Sequence, residues 1–416
     1  MKIFWHRRDL RLTACSELST LTPIYILDEK PTPWLEKALE DLKKQYAQVG
    51  VQFQILQGTP EKVFLKLKPK AVYLNIIWEP KEFNRDKDIT EVLKKNGIEI
   101  KTFNENYLID PREIMNKSGK PYGVFTPFWN QVQKAYHHKK PPKTNDFKNT
   151  ECLNRTWNPT RSGATDLIKK FKEHYLRYEI DRNFPAIEGT SKMSPYLHYG
   201  QISPRELYEQ FSDSECYIRE LGWREFANYF LFHFPYVETE NWNKKFDHFK
   251  WQEAPLDLER WKKGLTGYPI VDAGMRELLQ TGWMHNRVRM IVASFLTKHL
   301  LIDWREGAKW FMENLHDADL ASNSMNWQWV AGCGPDAAPY FRIFNPILQS
   351  QKFDKDGEYI KRYIPELNEM DSKWIHAPWT APIEILKNIN YPEPIVDHAD
   401  ARMKALALYK NSSRVH

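Results

Sequence analysis

The chain has 416 residues, enough for two or three domains and a large core, and its 60 Lys plus Arg against 54 Asp plus Glu leave a formal charge of +6. That balance permits a polyanionic partner without demanding one. Four cysteines, Cys15, Cys152, Cys216 and Cys333, are too few and too scattered for a disulfide framework or a zinc site, so no metal is expected. Met1-Lys2-Ile3-Phe4-Trp5-His6-Arg7-Arg8 turns charged too early for a signal peptide, and the apolar runs are too short to cross a bilayer. The expectation is a soluble, cytoplasmic protein of a reducing compartment.

In chain order, Ile3-Phe4-Trp5 and Pro23 to Leu27 read as strands. Trp34, Leu35, Ala38, Leu39, Leu42 and Tyr46 come next at helical spacing. Val51, Phe53 and Ile55 alternate as in a strand, and Ala71 to Ile77 and Ile98 to Phe103 complete the set. Strands alternating with helices predict a doubly wound parallel sheet, an α/β domain over 1–125. No Gly-x-Gly-x-x-Gly or Walker-type loop follows any of these strands. The stretch 126–165, with His137-His138-Lys139-Lys140-Pro141-Pro142-Lys143 inside it, reads as a connector. Residues 166–416 carry the helical period and predict an all-α domain. Ser203-Pro204-Arg205-Glu206 is a capping box. Trp223, Phe226, Phe230 and Phe234 form one helical face, and Val288 to Leu300 form another apolar stripe. Asp303 to Glu306 resembles a second capping box, ahead of the stripe Trp304, Ala308, Phe311 and Leu315.

Candidate sites lie in this second half. Asp317, Asp319, Asn323, Trp327 and Trp329 fall within thirteen residues. A core rejects carboxylates that are not satisfied, and a solvated loop rarely carries two indoles, so a pocket for a polar, planar ring explains both. Gly189-Thr190-Ser191-Lys192-Met193-Ser194-Pro195 is either an oxyanion cradle or an ordinary helix cap. Glu220 and Trp223 are i, i+3 neighbours that suit a base edge and a base face, or else a surface acid beside a core indole. Asn286 and Met290 share a helix face. Arg287 and Arg289 stand where the helix dipole disfavours cations, which favours a functional reading: one for phosphate, one for a buried acid such as Asp317. Spacing alone does not link Trp251, Trp304 and Trp327.

These residues, in this order, resemble the DNA photolyase/cryptochrome family, most closely its class I members that act on cyclobutane pyrimidine dimers. The resemblance covers nearly the whole chain. It begins at Phe4 to Leu12 and is dense from Tyr178 to Leu367. Its most specific strings are Gly267 to Ala273, Trp283 to Met290, Asp317 to Trp329 and Ala337 to Pro346. It implies an N-terminal antenna domain and a C-terminal helical domain holding FAD. Tyr178, Thr190, Ser191, Lys192, Met193 and Ser194 resemble the flavin-phosphate contacts. Asp317, Ala318 and Asp319 resemble the flavin and ribityl contacts, Arg289 the partner of Asp317, and Asn323 the amide facing flavin N5. Trp327, Trp304 and Trp251 match the electron relay from proximal to surface. Glu220, Trp223, Asn286, Met290 and Trp329 match the lesion pocket. Arg182, Arg287, Arg342 and Gln349 match the DNA-facing surface.

The implied function is light-driven repair of UV-damaged single- or double-stranded DNA by a monomer that uses reduced FAD. The rivals are a flavin-based blue-light receptor and a helical nucleic-acid-binding protein without catalysis. Asn286, where repair of the pyrimidine-pyrimidone photoproduct relies on a histidine, points to the cyclobutane dimer. Asn323, where plant-type cryptochromes place an acid, points to repair. On the antenna side Glu82 is kept, but Lys81 replaces the asparagine of folate-binding members. Methenyltetrahydrofolate is therefore in doubt, and another antenna, or none, stays open.

Overall fold

A computed structural model describes residues 1–12, 21–136, 157–337, 342–387 and 389–412. Cys15, Cys152, the basic run 137–143 and residues 338–341 lie outside the described residues. The chain divides into two compact units: Met1–Leu176 with Ser191–Pro235, and Arg177–Thr190 with Tyr236–His416.

In the first unit, five strands, β1 (Lys2–His6), β2 (Thr22–Leu27), β3 (Gln54–Gln57), β4 (Ala71–Asn75) and β5 (Glu99–Phe103), form one parallel sheet in the order β3-β2-β1-β4-β5. Helices Pro33–Gln48, Pro60–Leu67 and Pro80–Lys95 make the crossovers, each opened by proline in its first turn. Ile3, Trp5, Ile24, Ile26, Val72 and Leu74 pack one core with Phe64, Ile89 and Leu93. Phe4, Leu21, Ala71 and Tyr73 pack another. Both faces are covered, as parallel sheets require. Strand β3 starts three residues later than the alternation from Val51 predicts. Val51 N–H instead bonds Tyr46 O (2.9 Å) and Gly50, at φ +74, bonds Ala47 O (3.0 Å), so these residues close the preceding helix.

Helix Phe125–Ala135 occupies the first part of the stretch read as a connector. Helix Pro204–Gln210 opens on the full reciprocal capping box, Ser203 with Glu206. Helix Glu215–His233 buries Phe226 and Phe230.

The second unit is helical. Helices Pro269–Thr281, Asn286–Ser294, Trp304–Asn314 and Leu320–Ala331 surround a core that includes Trp261, Phe311 and Trp327. The capping box expected at Asp303 is incomplete. Asp303 accepts the Arg305 N–H at 2.9 Å and its carboxylate also pairs with the Arg305 guanidinium, so the carboxylate is taken up one residue short of Glu306. The apolar stripe from Val288 does not continue as one α-helix. After Ser294 the chain widens into a π-turn, Phe295–His299, with Leu300 N–H bonding Phe295 O at 3.1 Å. Widening the turn lets five consecutive residues, Lys298 and His299 among them, all be buried. Among the described residues no helix is long and apolar enough to cross a membrane.

Candidate flavin and DNA site

Helix Leu320–Ala331 exists because Asp319 caps it, its carboxylate accepting Ser322 N–H at 2.8 Å. Two residues upstream, Asp317 is buried, and its Oδ2 accepts from Arg289 Nη2 at 2.8 Å. Arg289 Nε donates to Met284 O at 2.7 Å, which fixes the plane of the guanidinium. Asp317 Oδ1 is buried with no partner. A carboxylate oxygen left so in a native fold calls for a ligand, since an unmet buried acceptor costs on the order of 1–3 kcal/mol. Asn323 lies one turn along the same helix, its Nδ2 donating to Ala308 O at 3.0 Å. Asp317, Asp319 and Asn323, with half-buried Ala318 between the two acids, thus bring their polar groups to the start of one helix, where Arg289 supports Asp317.

Tyr178 belongs to this same unit. It is buried, with the Arg182 guanidinium 5.1 Å over its ring. Thr190 is half-buried, and the preceding Gly189 is obligatory because a Cβ there would collide with the Asp181 carbonyl. Ser191, Lys192, Met193 and Ser194 come next, in the first unit. There Lys192 adopts φ +54, Tyr217 shares a hydrogen bond with Ser191 Oγ at 3.2 Å, and the short helix Ser194–His198 begins with no side-chain cap.

The three relay candidates share one hydrophobic cluster, Trp327 and Trp304 within it and Trp251 packed against it. Trp327 is buried against Phe311 (5.0 Å) and Trp261 (6.2 Å), both edge-on. Trp304 is buried and donates its indole N–H to Asn241 Oδ1 at 2.9 Å. Trp251 is half-buried, its ring 4.5 Å from Phe249. Among the described residues no direct ring contact joins the three to each other; Trp327 and Trp304 are both buried, and Trp251 alone of the three is partly exposed.

Helix Asn286–Ser294, capped by His285 Nδ1 on Arg287 N–H at 3.2 Å, presents Asn286 to solvent with Met290 one turn on. Arg287 Nη2 donates to Asn183 Oδ1 at 2.5 Å, and Nη1 reaches Met290 Sδ at 3.8 Å. Burial, then the like charges of Arg182 and Arg342, hold Arg287 below the ordinary arginine range. Three guanidiniums therefore stand close enough to repel. Gln349 lies half-buried on helix Pro346–Phe353. Trp329 is half-buried, its Nε1 bonded to Asp336 O at 3.2 Å.

Glu220 and Trp223 lie in the first unit, both half-buried on helix Glu215–His233. The lesion residues named from sequence are thus divided, with Asn286, Met290 and Trp329 in the other unit. Sequence reasoning missed Phe125, which stacks on Trp223, and Lys298, which interrupts an apolar stripe and lines a recess beside Trp329. The charge inside that stripe was the available signal for Lys298. On the antenna side, Lys81 and Glu82 open helix Pro80–Lys95, and Glu82 lies 3.6 Å from the Arg8 guanidinium.

Residues 2–145 match the family model described as DNA photolyase, and 217–411 match the FAD-binding domain of DNA photolyase. A deoxyribodipyrimidine photo-lyase of Agrobacterium fabrum is 39% identical over 98% of this chain and 97% of its own length. A crystal structure of a bacterial class III photolyase from Agrobacterium tumefaciens superposes with a TM-score of 0.91 at 39% identity, covering 99% of this chain and 98% of that one. Cryptochrome-2 of Arabidopsis thaliana is 31% identical over 96% of this chain and 77% of its own length. The chain belongs to the DNA photolyase/cryptochrome family, and its helical half is the family's FAD-binding domain. The class I resemblance of its motifs stands beside a class III neighbour.

Proposed function

We propose that the chain is a light-driven repair enzyme for cyclobutane pyrimidine dimers in single- or double-stranded DNA, with FAD, reduced in the active form, as its cofactor. The observation that carries this reading is the nine-residue helix Asn286–Ser294. One of its residues, Arg289, neutralises the carboxylate that awaits a ligand, while Asn286 and Met290 of the same helix are the pair expected at a dimer. One short rigid element thus serves both the flavin anchor and the lesion.

When bound, reduced FAD would supply light-driven one-electron chemistry for opening the dimer, since the hard chemistry belongs to the cofactor. The protein positions and polarises. Asp317, Ala318, Asp319 and Asn323 hold the ring system, and Tyr178 with Thr190 to Ser194 hold the phosphates. Glu220 hydrogen-bonds a thymine carbonyl and stabilises the charge that develops there. Trp223 and Trp329 offer faces to a lesion turned out of the helix, for which a damaged base costs least. Arg182, Arg287, Arg342 and Gln349 bind the backbone, giving affinity without sequence preference. Trp251, Trp304 and Trp327 pass electrons inward. In domain terms, 1–125 is the antenna domain, 126–165 a connector and 166–416 the FAD- and DNA-binding domain of a cytoplasmic monomer. A second reading, a blue-light receptor without repair, is favoured by the likeness to a plant cryptochrome.

The deciding experiment illuminates the purified, fully reduced protein with DNA carrying cyclobutane dimers. Loss of dimers is expected in the light alone. Dimers that persist despite bound reduced FAD would leave the receptor reading, and a protein that takes up no flavin would remove both.

A further inference from the structure

Lys298 has no role in the repair scheme. It is 3% exposed in the π-turn, and its Nζ donates to the Arg342 carbonyl. Together with Ser294, Trp329, Arg342 and Phe344 it lines a shallow recess open to solvent. The Arg342 side chain is exposed, its guanidinium 5.2 Å over the Phe344 ring. Its charge acts in two directions, on Arg287 and on Lys298, and Arg287 also meets the charge of Arg182. Four cations are therefore linked in series by pairwise repulsion, and in that sense form a row: Arg182 with Arg287, Arg287 with Arg342, and Arg342 with Lys298. Among the described residues no ion pair joins Arg287 or Arg342 to a carboxylate. A row of mutually repelling cations is relieved by a polyanion laid along it.

We propose that the recess is a backbone-phosphate subsite on the DNA path, and that Lys298 is the member of the row whose charge is set by protonation, so that DNA affinity is linked to proton uptake. The inference rests on the damaged-DNA reading of the site. Burial, with the Arg342 charge acting in the same direction, brings the Lys298 amine down to about 7. Two of the groups around it, Cys333 and His299, do not titrate there. Burial pushes the Cys333 thiol well up, so it stays neutral. Burial, then His398, holds the neighbouring His299 at about 3, so it too stays neutral. Behind it stand His398, Asp397 and Arg402, with burial lowering His398. A phosphodiester keeps its charge across this range, so the bound state favours the ammonium. Affinity is then greatest below neutrality and declines as the amine loses its proton.

The test measures binding of the FAD-loaded, full-length protein to dimer-bearing and undamaged DNA, in the dark, at fixed ionic strength. Between about pH 6 and about pH 8.5 the wild type should lose about tenfold in affinity, the effect of a one-unit rise in the Lys298 pKa on binding. Lys298→Arg should bind tightly with no such decline. Lys298→Met should bind weakly with no such decline, and its log–log salt slope should be smaller by about one. Should the Met variant fail to fold, calorimetry on the wild type in two buffers of different ionisation enthalpy decides, with net proton uptake expected near neutrality. An undiminished pH dependence in Lys298→Arg, or absence of proton uptake, would overturn the inference. A wild type that binds DNA without pH dependence ends this proposal alone, whereas one that binds no DNA at any pH ends the repair reading with it.

Discussion

The Trp223 indole lies face to face with the Phe125 ring, centroids 3.7 Å apart and planes 9° from parallel. One face of the indole is thus already covered and rigid, with Phe226 edge-on at 5.9 Å. The opposite face of such a backed indole is suited to stack a base at little further entropic cost.

Trp223→Ala should therefore weaken binding of dimer DNA by about 1–3 kcal/mol, the usual worth of one base–aromatic stack, and affect undamaged DNA much less. Competitive binding of the two DNAs measures this. An equal loss for both would mean that Trp223 acts through packing and not on the lesion. Phe125→Leu should give a smaller effect in the same direction.

How far was this legible in the sequence? The five strands and their crossovers were, because alternation and helical spacing reflect directly which faces are buried. Arg289 with Asp317 was expected from the resemblance, and the structure brings them to 2.8 Å. Two things were not legible. Phe125 and Trp223 are 98 residues apart in the numbering, and no local pattern announces their stacking. The π-turn at Phe295–His299 hid behind an apolar stripe that fits an α-helix equally well, since periodicity does not separate the two when every residue is buried.

Asp317→Ala should release FAD. It removes the orphaned oxygen offered to the ligand and leaves Arg289 without its carboxylate. Breaking such a pair costs about 3–5 kcal/mol when fully buried, and less here because the Arg289 side chain is 24% exposed. Flavin fluorescence after gel filtration checks the loss. Retention of stoichiometric FAD would show that the carboxylate faces something else.

Trp304→Phe should block photoreduction of oxidised enzyme yet spare repair by enzyme reduced beforehand. A companion variant, Gly307→Ala, probes the next ring inward, because a Cβ at Gly307 would press into the Trp327 ring. Overpacking of this kind costs about 1–3 kcal/mol. A lower Tm with slowed photoreduction is expected. Unchanged photoreduction rates in both variants would argue against this relay.

His299 Nε2 and His398 Nδ1 are 2.8 Å apart, and burial, then His398, holds His299 at about 3, below its ordinary 6.5. The unfolded chain takes up this proton near its ordinary value and the fold resists it until about 3. Stability linked to His299 is thus fully present above about 6.5 and is lost as pH falls, at up to about 1.4 kcal/mol per unit. Denaturant melts at about pH 7 and about pH 5 should show wild type losing more than His299→Gln. Parallel losses would assign the pH dependence elsewhere.

The π-turn also makes a statement about the length of the gene. It holds one residue more than the α-helical turn it replaces. Deleting one codon between 295 and 299 removes that extra residue, so the turn can close as an ordinary α-helical turn while the chain downstream keeps its phase, and the change falls on the turn itself, Lys298 included. Substitutions in this segment are then judged by size and polarity, one residue at a time. A one-residue deletion is judged by whether the buried amine still reaches the Arg342 carbonyl.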